Sequence, residues 1–201
     1  MRRALAGALA AGLVLLSGCG GDASSAGEFS GNRLDPPFRV SPIPLTDTSG
    51  ATYSLRSSTD KPLTLVFFGY THCPDICGVV MANLASAMTR LSEADRARVD
   101  VVYVTTDPAR DTATVLGDYL EHVDPDFVGL TGDLKDIIAV GKPLAVGVSH
   151  GQKLPSGGYD VTHGTTITAI DDHDRAPVYW SQETSSAEFA ADIHTLLSEE
   201  S

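Results

Sequence analysis

One stretch restricts this chain more than any other: an unbroken apolar run, a glycine, and two cysteines four residues apart. Residues 63–68 read LTLVFF. A run that short, rich in β-branched and aromatic side chains, predicts a strand buried on both faces rather than a helix. Gly69 lets the chain turn. From Pro74 onward, Cys77, Val80, Met81, Leu84, Met88 and Leu91 recur on one helical face. Proline suits the first helical position, where its missing N–H would go unbonded anyway. The stretch therefore reads as a central strand that turns sharply into a helix, with the cysteines at the helix start.

The rest of the chain continues that alternation. Residues 38–45 and 51–55 flank a turn at 47–50 and predict a short hairpin. Residues 101–105 read as a strand. Asp111 or Thr112 caps a helix carrying Val115, Leu116, Tyr119 and Leu120. Residues 127–130 form a short strand. Asp133 opens a helix with Leu134, Ile137 and Ile138 inward, closed by Gly141 and Pro143. A glycine-rich loop at 156–158 precedes a strand at 165–170, which pairs with 178–180. Ser185 and Glu188 have capping-box spacing ahead of a last helix bearing Phe189, Ile193, Leu196 and Leu197. The expected fold class is α/β: a central mixed sheet flanked by helices, with an N-terminal β-hairpin. That order is compatible with a thioredoxin-like fold.

The N-terminus stands outside this pattern. Two arginines, an apolar run from Ala4 to Leu16 and then small residues have the build of a secretory signal, and the run is short for a membrane span. Leu16-Ser17-Gly18-Cys19 resembles the bacterial lipobox, which implies cleavage before Cys19 and lipid on that residue. The expected organisation is a signal peptide at 1–18, a lipid-anchored flexible tether at 19–34, rich in Gly and Ser, and one domain at 35–201. Such a domain works on the extracytoplasmic face of a bacterial membrane, where thiols meet an oxidising environment. Cleavage removes Arg2 and Arg3 and no acid, so a formal charge of −12 becomes more negative still. That balance argues against a nucleic-acid binder, which needs clustered cations. Three cysteines are too few for a disulfide-stapled scaffold.

Cys73 and Cys77 lie about one helical turn apart, so both sulfurs reach the same side, at a spacing a disulfide can bridge. A thiol at a helix start has its thiolate favoured by free N–H groups and the helix dipole. The same spacing lets two soft sulfurs converge on Cu(I) or Zn(II), with a third ligand from elsewhere. A structural disulfide closing so small a loop constrains the unfolded chain little. A dithiol oxidoreductase and a metal carrier stay level on these residues alone. Of the six histidines, His122, His173 and His194 have polar or helix-surface settings, and His72 adjoins Cys73. His150 and His163 both precede glycine. His163 has the better position, just before a strand and after Gly157-Gly158, but the residues themselves leave these two open.

Three runs taken together, FFGYTHCPDIC (67–77), VTTDPARDT (104–112) and GYDVTHG (158–164), resemble the SCO/SenC family of thioredoxin-like copper chaperones for cytochrome c oxidase assembly. The resemblance covers nearly all of residues 35–198. It implies that Cys73, Cys77 and His163 are the metal ligands and that Asp107 supports the site. It implies copper as the metal, Cu(I) first and Cu(II) with a further ligand. The partner it implies is the copper-site subunit of the oxidase. The alternative it leaves standing is a thiol-disulfide oxidoreductase with Cys73 and Cys77 as the redox pair. Two positions depart from the family pattern: Gly78 stands where proline is common, and Gly164 where a small polar residue is usual. Residues 157–163 are expected to be a mobile loop, since glycines flank them.

Overall fold

The computed structural model describes residues 28–59, 61–153 and 159–199. The signal sequence, Cys19, the first part of the tether and the 156–158 loop lie outside these residues.

Ten strands and five α-helices follow one another in the described residues. In chain order they are β1 (Asn32–Arg39), β2 (Leu45–Asp47), β3 (Thr52–Tyr53), β4 (Leu63–Gly69), α1 (Ile76–Arg90), the one-turn α2 (Glu93–Arg96) and β5 (Val99–Thr105). Then come α3 (Ala113–Glu121), β6 (Val128–Thr131), α4 (Leu134–Gly141), β7 (Val148–Lys153), β8 (Tyr159–His163), β9 (Ile167–Asp171), β10 (Arg175–Trp180) and α5 (Ser186–Glu199). Eight strands form one sheet in the order β1-β10-β9-β4-β5-β6-β2-β3. The pairs β4–β5 and β5–β6 are parallel and the others antiparallel, so the sheet is mixed.

The unbroken apolar character of β4 has a direct cause. Leu63, Leu65 and Phe67 pack on one face with α1, α3 and α5, through Val80, Met81, Leu84, Leu116, Phe189 and Ile193. Val66 and Phe68 pack on the other face with Ile137 and Val140 of α4, and with Leu45 and Leu55. A strand buried on both sides cannot alternate apolar with polar. Each of these large side chains contributes about 1.5–3 kcal/mol by leaving water.

Several expectations shift. β1 starts at Asn32, and the amides of Ser30 and Gly31 donate to the buried Asp192 carboxylate at 3.0 and 2.8 Å. The Trp180 indole N–H meets the same carboxylate at 2.8 Å. The N-terminal hairpin is smaller than expected. Phe38 belongs to β1, which pairs with β10 on the opposite edge, and only β2 and β3 close around Gly50, at φ +87°. Pro42 and Pro44 explain this, because neither can donate to a ladder that would join β1 to β2. Thr112, not Asp111, caps α3: its hydroxyl accepts the Val115 N–H at 3.3 Å. Val115 and Ile138 face solvent, and Val140 takes the inward place on α4. The Ser185–Glu188 capping box is present in both directions, at 2.8 and 3.3 Å.

Residues 159–163 form a strand rather than a loop. β7 and β8 pair antiparallel as a ribbon apart from the main sheet, with His150 opposite Val161 and Val148 opposite His163.

Candidate metal site

The C-terminal ends of β4 and β5 carry the site. At Gly69 a Cβ would lie 2.7 Å from the Tyr103 hydroxyl, so only glycine lets the strand pass. The chain then turns through Tyr70–Cys73, closed by the Cys73 N–H donating to the Tyr70 carbonyl at 3.2 Å. α1 starts at Ile76, two residues later than the proline predicted. Cys73 therefore precedes the helix, while Cys77 lies within its first turn. The sulfurs converge because the turn folds Cys73 back over the helix end, rather than because both sit one turn apart on a helix.

His163 ends β8, and its Nε2 lies 3.5 Å from the Cys77 Sγ. The Cys73 sulfur, the Cys77 sulfur and a His163 ring nitrogen all lie within 4.8 Å of one another. The other ring nitrogen, Nδ1, donates to the Gly164 carbonyl at 2.9 Å. That bond places the proton on Nδ1 and leaves the Nε2 lone pair directed at the sulfurs, the usual preparation of a ligand histidine. The ring is wedged edge-on against Phe67 and Tyr70, with centroids 6.2 and 5.8 Å away. Two soft sulfurs and one imidazole form a donor set that fits a thiophilic metal ion.

The two thiols are unlike. Burial pushes the Cys73 thiol up, but hydrogen bonds from the Cys77 thiol and from the amides of Asp75, Ile76 and Cys77 outweigh it, and its pKa is lowered. Cys77 is buried, and burial together with its bond to Cys73 pushes its pKa well up. Cys73 is thus the more acidic thiol of the pair, with Cys77 as its hydrogen-bond donor. Both cysteines are free thiols.

Asp107 is fully buried and pairs with the Arg110 side chain, whose guanidinium lies over the Tyr70 ring at 5.7 Å. Its backbone carbonyl accepts from Arg110 and Asp111 at 3.1 and 2.9 Å. Asp107 thus touches the site through Arg110 and Tyr70, and it also organises the turn. It is not in the Cys73–Cys77–His163 group. Of the other candidates, His194 pairs with Asp95 and His122 bonds the Asp118 carbonyl, both on the surface. Gly78 is exposed with open space around it, so its departure from the family pattern removes no contact. A second group of possible ligands, Asp171–Asp172–His173, sits in the β9–β10 turn, where Arg175 already occupies Asp171.

Residues 32–198 match the model of the SCO1/SenC family. The chain belongs to that family. Over 131 residues it is 32% identical to Protein SCO2, mitochondrial, of Saccharomyces cerevisiae, covering 65% of this chain and 43% of that protein. The match thus spans less than half the length of that relative. The solution structure of apo Sco1 from Thermus thermophilus superposes with a TM-score of 0.76 at 29% identity, over 84% of this chain and 97% of that one. Copper-bound ScoI from Bradyrhizobium japonicum superposes at 0.70 and 30% identity, over 79% and 99%. These SCO structures share the thioredoxin-like mixed sheet with flanking helices.

Two residues beside this group of donors were not assigned to it from the sequence. Thr71 and Asp111, forty positions apart, meet beneath the turn that carries Cys73.

Proposed function

We propose that this SCO1/SenC chain is a copper chaperone that holds Cu(I) on Cys73, Cys77 and His163 and passes it to the copper site of a cytochrome c oxidase subunit. The observation that carries the reading is the meeting of two sulfurs with an imidazole whose Nε2 faces them while Nδ1 bonds the Gly164 carbonyl. Binding releases protons, chiefly that of Cys77, so affinity rises with pH. Three protein ligands leave the ion open on one side, where a partner's thiolates can enter and displace it. Exchange with an external disulfide, which takes up two electrons and two protons and leaves as two thiols, would join Cys73 and Cys77 in a disulfide and abolish the site, so redox state gates loading. The lipobox at Leu16–Cys19 supports a lipid tether on the extracytoplasmic face, which raises the effective concentration near an oxidase in the same membrane. No helix among the described residues is long and apolar enough to cross a membrane.

The unequal thiols favour a second reading, a thiol-disulfide oxidoreductase in which Cys73 attacks and Cys77 resolves. One experiment separates the two. His163→Ala is expected to weaken Cu(I) binding at least tenfold by chelator competition while leaving the disulfide able to form. Copper transfer to an oxidase copper-site fragment is then compared with disulfide reduction. Fast reduction without copper, with wild-type copper affinity in His163→Ala, would replace the chaperone reading with the enzyme.

A further inference from the structure

Cys77 is placed by α1, in which it lies, but Cys73 precedes that helix and needs another anchor. The 105–112 segment supplies one. Asp111 is fully buried, and its carboxylate is filled by donors from the residues around the turn. Oδ1 accepts the Thr71 hydroxyl at 2.6 Å, and Oδ2 accepts the Thr71 N–H at 2.9 Å and the Thr105 hydroxyl at 2.7 Å. The Thr71 hydroxyl, its hydrogen donated to Asp111, accepts from His72 Nδ1 at 2.9 Å. A carboxylate is costly to bury unless donors satisfy it. Here two of the three donors come from the single residue two positions ahead of Cys73.

We propose that Asp111 is a positioning residue for the metal pair: by gripping Thr71 it holds the Tyr70–Cys73 turn and sets the Cys73 sulfur within reach of Cys77 and His163. Two anchors then bracket the turn, the Cys73 N–H on Tyr70 and the double bond from Thr71 to Asp111. A purely structural role, tying the end of β4 to the end of β5, is already filled. Thr106 does that through its amide and hydroxyl to the Gly69 carbonyl, at 2.6 and 3.1 Å. What Asp111 adds at the turn is the double grip on residue 71. The proposal rests on the copper reading for its affinity measurement only.

The test uses Thr71→Val, which removes the hydroxyl at nearly constant size, Thr71→Ser as the conservative rescue, and Asp111→Asn. Ile137→Ala, which opens a cavity on the opposite face of the sheet, serves as the control for lost stability. Three quantities are read: Cu(I) affinity by chelator competition, the alkylation rate of Cys73 at fixed pH by peptide mass spectrometry, and the equilibrium of the cysteine pair with glutathione. In the last, two thiols and one glutathione disulfide exchange for the protein disulfide and two glutathiones. Thr71→Val and Asp111→Asn are expected to weaken Cu(I) at least fivefold and to change the alkylation rate and the glutathione equilibrium by more than twofold. Thr71→Ser is expected to restore all three. Ile137→Ala is expected to lower the melting temperature and leave all three unchanged. If Thr71→Val matches wild type in all three, or if Ile137→Ala reproduces its losses, the positioning role is overturned. Should Asp111→Asn not fold, Thr71→Val alone decides. If wild-type protein does not bind Cu(I), the chaperone reading falls, and alkylation and glutathione exchange still decide the role of Asp111.

Discussion

At the scale of single residues, the two cysteines divide the labour. Cys73 lies below the ordinary thiol range and Cys77 well above it, because the amides at the start of α1 and the Cys77 thiol serve Cys73 while burial penalises charge on Cys77. An ordinary thiol ionises near pH 8.5. Cys73 is therefore expected to react with iodoacetamide at a pH where a free cysteine is still largely protonated, and Cys77 to stay silent until strongly alkaline pH. Peptide mapping across a pH series checks this; equal rates at both positions would contradict the asymmetry. The same physics requires Cu(I) affinity to fall as pH drops, because the metal must displace the tightly held Cys77 proton. A pH-independent affinity would mean that Cys77 is not a ligand.

At the scale of elements, each member of the proposed ligand set is delivered by a different device: a turn for Cys73, a helix for Cys77, a ribbon for His163. The β7–β8 ribbon sits apart from the main sheet and is joined to the site through its last residue. Amides of β7 and β8 are expected to exchange more slowly with copper bound than without, since a metal bond at His163 ties the ribbon to α1. Hydrogen exchange measured peptide by peptide checks it, and equal protection in both forms would contradict it. The cap of α3 gives a simpler expectation. Thr112→Ala removes the acceptor for Val115 N–H and should cost about 1 kcal/mol, read as a lower urea midpoint at unchanged slope.

For the molecule as a whole, Ser30 and Gly31 ahead of β1 are tied into the core. The buried Asp192 carboxylate gathers the amides of Ser30 and Gly31, the Ser30 hydroxyl and the Trp180 indole. Removing residues up to Gly31 would strip three of these donors and leave a buried charge short of partners. The expected loss is about 1–3 kcal/mol. Thermal unfolding of chains starting at residues 28 and 32 measures it, and equal melting temperatures would show that the segment contributes nothing.

Local pattern carried much of this protein by itself. The doubly buried β4, the register of the α1 face, the capping box of α5 and the mixed sheet follow from apolar periodicity and capping chemistry, both of which act within a few residues. The cysteine pair was legible as a two-sulfur donor for the same reason. The choice of His163 over His150 was not, since no local rule says which of two histidines in one ribbon reaches a helix 86 residues away; only the family resemblance singled it out. Tertiary structure alone decided the rest: that β1 leaves the N-terminal hairpin for the far edge of the sheet, that residues 159–163 pair as a strand, and that Asp111 grips Thr71. Each depends on partners distant in the chain, and a buried carboxylate declares its purpose only when the fold shows which donors have closed around it.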